Sequence, residues 1–346
     1  MALSAPPVLE VEDLRTWFDT PAGTVHAVDG VSFRLERGRT LGVVGESGSG
    51  KSVLCRSVMG LLPRRGVIRS GSVRFGGVEL SSLSRDALRR LWGREMAMVF
   101  QDPMTSLNPV MKIGEQLTEG LRLHLGLGTR EAEARAVALL GEVGIPEPER
   151  RLRQFPHQLS GGMRQRVTIA IALACDPILV FGDEPTTALD VTVQAQILDL
   201  LDREQQERTM SMVLVTHDLG LVAGRADDIA VMYAGKIVEK APTEALFVDM
   251  KMPYTEALFK SIPKLSQPSH SRLDTIPGRP PNLSRPPVGC RFAARCPYAR
   301  ERCREEEPPL VAASTPGHEY ACWYPVGSPE WQAVQDERAA TAAGVA

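Results

Sequence analysis

The sequence predicts an α/β fold: a parallel-sheet core, an antiparallel strand unit ahead of it, a helical subdomain within it and a small cysteine-rich domain behind. Three observations predict it. Short apolar runs rich in β-branched residues, "TLGVV" (40–44), "PILVF" (177–181) and "SMVLVTH" (211–217), suit strands buried on both faces. Helical stretches between such strands imply parallel pairing. Four of the six cysteines, Cys290, Cys296, Cys303 and Cys322, lie beyond a segment that carries seven prolines between 263 and 287, a composition that suits an extended linker.

The elements follow in order. "VLEVEDLRTWF" and "VHAVDGVSFRLERG" alternate apolar and polar residues, the mark of antiparallel strands with one buried face, and "DTPAG" turns between them. "TLGVVGESGSGKSVLCRSVMGLL" then runs strand, Gly-rich loop, helix. From about 115 to 150 the spacing is helical, and "TREAEARAVALLGEV" sets Glu131 and Arg135 four apart on one face. "DDIAVMYAGKIVEKA" reads as a closing strand pair turned at Ala234–Gly235. No internal repeat is present.

Bulk properties narrow the function. A chain of 346 residues can bury a full core and hold two or more structural units. With 43% hydrophobic and 24% charged residues and a net charge of −2, it reads as soluble and globular, and no nucleic-acid partner is expected. "MALSAPPVLEVEDL" lacks the basic patch and apolar core of a signal peptide. "VTIAIALAC" (167–175) is about half the length of a membrane span. A cytoplasmic location is expected, where thiols stay reduced. Disulfides are therefore the weakest reading of the tail cysteines.

"GESGSGKS" (45–52) fits G-x-x-x-x-G-K-[ST]. A chance match somewhere in such a length arises roughly once in a hundred chains at average residue frequencies. The strand before it and the apolar helix after it are the context the motif requires. Gly45, Ser47, Gly48, Ser49 and Gly50 can curl so that successive N–H groups meet phosphate oxygens, and the helix N-terminus adds its dipole. Lys51 would contact the β- and γ-phosphates of a nucleotide, and Ser52 would ligate Mg²⁺. "ILVFGDEP" is a second acidic element: an apolar strand ending in Asp183, placed to hold Mg²⁺, and Glu184, placed to polarise an attacking water. A lone Asp-Glu pair would be a solvated strand end; beside a phosphate loop it is not.

"LSGGMRQR" (159–166), together with the phosphate loop, the Asp-Glu strand, "VFQDP" and "VTHD", resembles the ATP-binding subunits of ABC transporters. Ser160 read by itself would be a helix N-cap; five elements in the family's order argue for more. The resemblance covers roughly residues 8–325 and implies an ABC ATPase fold, with a RecA-like parallel core, an antiparallel β-subdomain and a helical subdomain. It implies an ABC nucleotide-binding domain at 1–262 with the helical subdomain at about 103–160, a Pro-rich linker at 263–288 and a cysteine-rich C-terminal domain at 289–346. It also assigns roles. Phe18 matches the aromatic that stacks on adenine, with Trp17 on the opposite face. Gln101 matches the glutamine that touches Mg²⁺. Asp183 would hold the Mg²⁺ shell, Glu184 would be the catalytic base, and His217 would contact the γ-phosphate. Ser160, Gly161 and Gly162 match the helix-start donors to ATP held by a partner subunit, and Asp190 the loop that crosses between subunits. Gly182 stands where many relatives carry a larger residue. No catalytic position is degenerate, so a hydrolysis-competent half-site is expected.

"FQDPMTSLNP" and "IPGRPPNLSRPPVGCRF" resemble the dipeptide/oligopeptide importer branch. That resemblance implies ATP-driven peptide import at the cytoplasmic face of the membrane. The implied partners are a second homologous ATPase, two transmembrane permeases and an extracytoplasmic peptide-binding protein. A nickel or other solute importer, or a non-transport ABC ATPase, is the alternative. The tail cysteines are spaced C-x5-C-x6-C-x18-C, without the paired C-x2–4-C knuckles of structural zinc. Four thiolates can also hold an iron–sulfur cluster, and the importer resemblance implies a [4Fe–4S] cluster there, with zinc as the alternative. His318 is left outside the ligand set. Cys55 and Cys175 read as buried small apolar residues.

Overall fold

The computed structural model describes residues 6–63, 65–187, 189–262 and 276–343. Ala188 of the "ALD" motif and residues 263–275 of the expected linker lie outside them. The strands are β1 (Leu9–Thr20), β2 (Gly23–Leu35), β3 (Thr40–Val44), β4 (Val67–Phe75), β5 (Val78–Glu79) and β6 (Met96–Val99). They continue as β7 (Leu179–Asp183), β8 (Ser211–Thr216), β9 (Asp228–Tyr233), β10 (Lys236–Pro242), β11 (Val311–Ala312) and β12 (Glu319–Tyr320).

Alternation in the first two strands produces the antiparallel pair it predicts, buried through Leu9, Val11, Leu14, Val28, Val31 and Phe33. β4 and β5 complete a four-stranded sheet in the order β2-β1-β4-β5. The main sheet runs β11-β12-β10-β9-β3-β8-β7-β6. β3 pairs in parallel with both β8 and β9, and β7 joins β8 to β6. β3, β7 and β8 are buried along their whole length, as strands covered on both faces must be. The helices Ile113–Leu125, Thr129–Glu142 and Gly161–Leu173 form the helical subdomain, packed through Leu117, Leu121, Ala136, Leu140 and Ile169.

The sequence spacing of Glu131 and Arg135 serves other partners. Glu131 accepts from Gly128 N at 3.1 Å and so caps its helix, while Arg135 reaches Glu142 at 2.9 Å and Asp176 at 3.6 Å. A free helix N–H is costly to leave unmade, and the carboxylate satisfies it.

The cysteine-rich tail, expected as a small C-terminal domain, joins the main sheet. β12 pairs antiparallel with β10, Glu239 opposite Tyr320 and Lys240 opposite Glu319. Phe292 and three tail cysteines, Cys290, Cys296 and Cys322, pack on the same apolar cluster as β8, β9 and the helix Pro253–Lys260. The pairing covers a β10 edge whose N–H and C=O groups would otherwise stand open. Beneath it His318 Nε2 lies 2.8 Å from Glu239 Oε1, both side chains fully buried. That engagement accounts for His318 structurally. No described helix is long and apolar enough to cross a membrane.

Candidate nucleotide-binding site

The site lies at the C-terminal ends of β3, β7 and β8, where a strand hands over to a loop and helix. The phosphate loop needs glycine for two physical reasons. Gly50 holds φ 105, and any Cβ there would collide with the Ala27 carbonyl oxygen of β2. A Cβ on Gly45 would strike the Met232 carbonyl in β9. The turn of β9 into β10 grips the loop from behind: Gly235 N donates to Ser49 O at 2.8 Å, and Asp29 N donates to Gly235 O at 2.8 Å. Ala234 and Gly235 both have positive φ, as the sequence turn requires.

Lys51 is buried and donates to Gly45 O at 2.6 Å and Glu46 O at 3.0 Å, with Glu184 Oε1 3.6 Å away. Burial lowers its pKa, and Glu184 is the chief group opposing that. Ser52 Oγ donates to Asp183 Oδ1 at 2.6 Å. Asp183 Oδ2 is buried with no hydrogen-bond partner among the described residues. Burial pushes the Asp183 carboxyl up, against the Ser52 hydrogen bond. A buried carboxylate oxygen with a free lone pair, beside a serine hydroxyl, fits a hard divalent cation.

Glu184 is the meeting point. Its Oε2 accepts from Thr187 Oγ1 at 2.9 Å and Gln101 Nε2 at 3.2 Å, and His217 Nδ1 lies 3.3 Å away. The His217 hydrogen bond, opposed by burial and helped by Thr187, holds its carboxyl down at about 2. The same bond raises His217 above the ordinary imidazole value. Glu184 also carries φ 47, a left-handed conformation that non-glycine residues rarely adopt and that recurs at functional sites.

Phe18 is half-buried in β1, opposite Val25 of β2 and Val67 of β4, and Thr16 Oγ1 bonds Ser57 Oγ of the helix Lys51–Val58 at 2.5 Å. Trp17 stacks on His26 across the strand pair, centroids 4.2 Å apart at 16°. Ser160 caps the helix Gly161–Leu173, its Oγ accepting from Met163 N at 3.3 Å. Asp190 does the same for the helix Val191–Arg208, accepting from Val193 N at 2.9 Å. Among the described residues, no hydrogen bond or ion pair joins Ser160–Gly162 to the phosphate loop. Gly182, the departure from the family pattern, has Leu214 as the nearest neighbour of an added Cβ, at 3.4 Å.

Comparison with known proteins agrees with this geometry. Residues 28–187 match the ABC transporter family, and residues 238–303 match the oligopeptide/dipeptide transporter C-terminal region. The chain is 50% identical over 308 residues to the oligopeptide transport ATP-binding protein OppD of Bacillus subtilis (strain 168), covering 89% of this chain and 86% of that one. This chain belongs to the oligopeptide ABC transporter ATP-binding family. Among solved structures, the dimeric ATP-binding cassette MJ0796 bound to ADP and Pi shares the fold at TM-score 0.62 and 26% identity, over 68% of this chain and 98% of that one. A second, cbiO1 from Clostridium perfringens, part of the cbiONQ ABC transporter complex, gives TM-score 0.59 at 28% identity, over 70% and 91%.

The tail brings the four cysteines around one small cavity. Cys290, Cys296, Cys303 and Cys322 line it with Phe292, Tyr298 and Trp323. Burial pushes the Cys290 thiol up to about 11, the Cys296 thiol to about 12 and the Cys322 thiol higher still. Among the described residues, no three His, Cys, Asp or Glu side chains stand close enough to hold a single metal ion.

Three features of this site were not read from the sequence. Arg295 of the tail forms a bidentate pair with Glu46 inside the phosphate loop, at 2.6 and 2.9 Å. Arg291 bonds both Asp29 and the Ala234 carbonyl. Residues 276–288, assigned to the linker, approach the same loop: Pro280, Pro281 and Leu283 line a small cavity with Glu46–Ser49.

Proposed function

We propose that this chain is the ATP-hydrolysing subunit that powers import of di- and oligopeptides across the cytoplasmic membrane, through ATP-driven head-to-tail dimerisation with a second ATPase subunit. The observation that carries it is the convergence of Lys51, Ser52, Asp183, Glu184, Gln101 and His217 at one end of the parallel sheet. The peptide substrate rests on the tail shared with the oligopeptide transporter family. Two transmembrane permeases would hold the subunit at the cytoplasmic face, and an extracytoplasmic binding protein would deliver peptide.

In this reading Phe18 stacks on adenine, and Gly45, Ser47, Gly48, Ser49 and Gly50 present N–H groups to the phosphates. Lys51 exchanges its two carbonyls for phosphate oxygens. Ser52, Asp183 and Gln101 would hold Mg²⁺, which would supply charge neutralisation for phosphoryl transfer. Glu184 orients and deprotonates the attacking water. Its carboxyl, held at about 2 chiefly by the His217 hydrogen bond, is a weak base as it stands. Turning His217 toward the γ-phosphate removes that bond and raises the basicity of Glu184 when the nucleotide is in place. Ser160, Gly161, Gly162 and Asp190 would serve a partner's site. The dimeric neighbour bound to ADP and Pi supports such pairing.

In this reading the four tail thiols, which line one small cavity together with apolar rings, would hold a [4Fe–4S] cluster. When bound, such a cluster would cross-link the segments carrying the thiols and could store an electron. The deciding experiment for transport is reconstitution with candidate permeases in proteoliposomes. Peptide-loaded binding protein should stimulate ATP hydrolysis and peptide uptake together; hydrolysis stimulated by a metal–chelate or nucleic acid instead would overturn the reading.

A further inference from the structure

We propose that Arg295 is a positioning residue for nucleotide binding: it acts through Glu46 to hold the phosphate loop in its receiving shape. This rests on the ATP-binding reading above and adds a contribution from outside the ABC motifs.

Glu46 is tied at every polar group. Its carboxylate takes both Arg295 Nη atoms, at 2.6 and 2.9 Å. Its N–H donates to Tyr254 Oη at 2.9 Å. Its carbonyl accepts from Lys51 Nζ at 3.0 Å and from Ser49 N at 3.2 Å. A side chain fixed at this point fixes the backbone on which Lys51 and the phosphate-facing N–H groups depend. Arg295 is itself rigid. Its side chain is 3% exposed, its Nε donates to Pro277 O at 2.9 Å, and its Nη1 lies 3.2 Å from Tyr233 Oη. It sits against the rings of Tyr233 and Phe292, and both rings pack on Tyr254. A planar guanidinium with a bidentate partner transmits position in a way a single ammonium cannot.

The placement in sequence adds meaning. Arg295 precedes Cys296, and Cys290 precedes Arg291, which braces Asp29 and Ala234 behind the same loop. One short segment therefore faces the thiol cavity with its cysteines and the phosphate loop with its arginines. The plainer reading is that Arg295 serves only to fold the tail, through Pro277 O and Ile276 O. The two readings separate at Glu46, which lies in the loop and makes none of those tail contacts.

The test is a double-mutant cycle on the full chain, read by equilibrium titration with a fluorescent ATP analogue and by the split of KM and kcat. Glu46→Gln and Arg295→Lys should each weaken nucleotide binding about tenfold, the scale expected for one charge-assisted hydrogen-bond pair. KM should rise by a similar factor with kcat little changed. The double variant should be no weaker than either single one. Glu46→Gln should melt earlier than the wild type, because it leaves the buried Arg295 guanidinium without its counter-charge, so the loop reading is judged by the binding cycle at a temperature where all variants are folded. Wild-type affinity in Glu46→Gln, or effects that multiply in the double variant, would overturn the proposal. A wild-type protein that binds no ATP would instead remove the reading on which it rests.

Discussion

Ser52 Oγ donates a 2.6 Å hydrogen bond to Asp183 Oδ1, tying the first turn of the phosphate-loop helix to the tip of β7. The second Asp183 oxygen has no partner among the described residues, and burial favours its proton. The pair is thus poised to exchange its hydrogen bond for a cation. Asp183→Asn keeps the shape and removes the charge. It should raise the Mg²⁺ concentration needed for ATP hydrolysis by about 10–100-fold, measured by Mg²⁺ titration at fixed ATP. An unchanged Mg²⁺ requirement would remove Asp183 from the metal's surroundings.

Glu184→Gln separates binding from chemistry. The amide can still accept from Thr187 Oγ1, 2.9 Å from the native oxygen, so the loop should keep its form. Turnover should fall about 10²–10⁴-fold, the contribution of a positioned general base. ATP should still bind, and dimers trapped with ATP should outlive those of the wild type in size-exclusion chromatography. Hydrolysis near the wild-type rate would require another base.

The site's core was legible because it is local. The phosphate loop, its strand and its helix are consecutive, and Gly50 is demanded by the Ala27 carbonyl that crowds it. β4 was illegible for the opposite reason: Ile68, Arg69, Ser70 and Gly71 are all exposed, so its first half carries no alternation. β6 has four residues, too few to establish a period. The i,i+4 rule for Glu131 and Arg135 lost to a cap and to longer-range partners. Arg295 and Glu46 stand 249 positions apart; a tail arginine names no partner until the sheet brings the tail beside the loop.

The His217–Glu184 pair predicts a titration. Glu184 is the main cause of the raised His217 pKa, so Glu184→Gln should lower it, read from the imidazole resonances in an NMR pH series. The sign for stability follows. His217, raised above 6.5, contributes fully below that pH, and its contribution is lost as pH rises through the folded value. Glu184, lowered from 4.5 to about 2, contributes above 4.5, and that part is lost as pH falls toward 2. A His217 titration indifferent to Glu184→Gln would break the link on which the proposed release of the base depends.

The tail thiols give the last prediction. Burial keeps the Cys290, Cys296 and Cys322 protons on well above neutral pH, so iron–sulfur assembly must displace protons. Reconstitution of the full-length protein with iron and sulfide should therefore release protons and weaken as pH falls. Protein purified without oxygen should be brown and carry iron and sulfide in equal amounts. Cys296→Ser should lose that colour, whereas Cys175→Ala, at a buried position in the helical-subdomain core, should keep it. The apo form should also melt earlier, because the thiols line a cavity against Phe292, itself packed on Tyr233 and Tyr254. Iron bound equally by the Cys296→Ser and wild-type proteins would show that the four cysteines are a packing feature and not a ligand set.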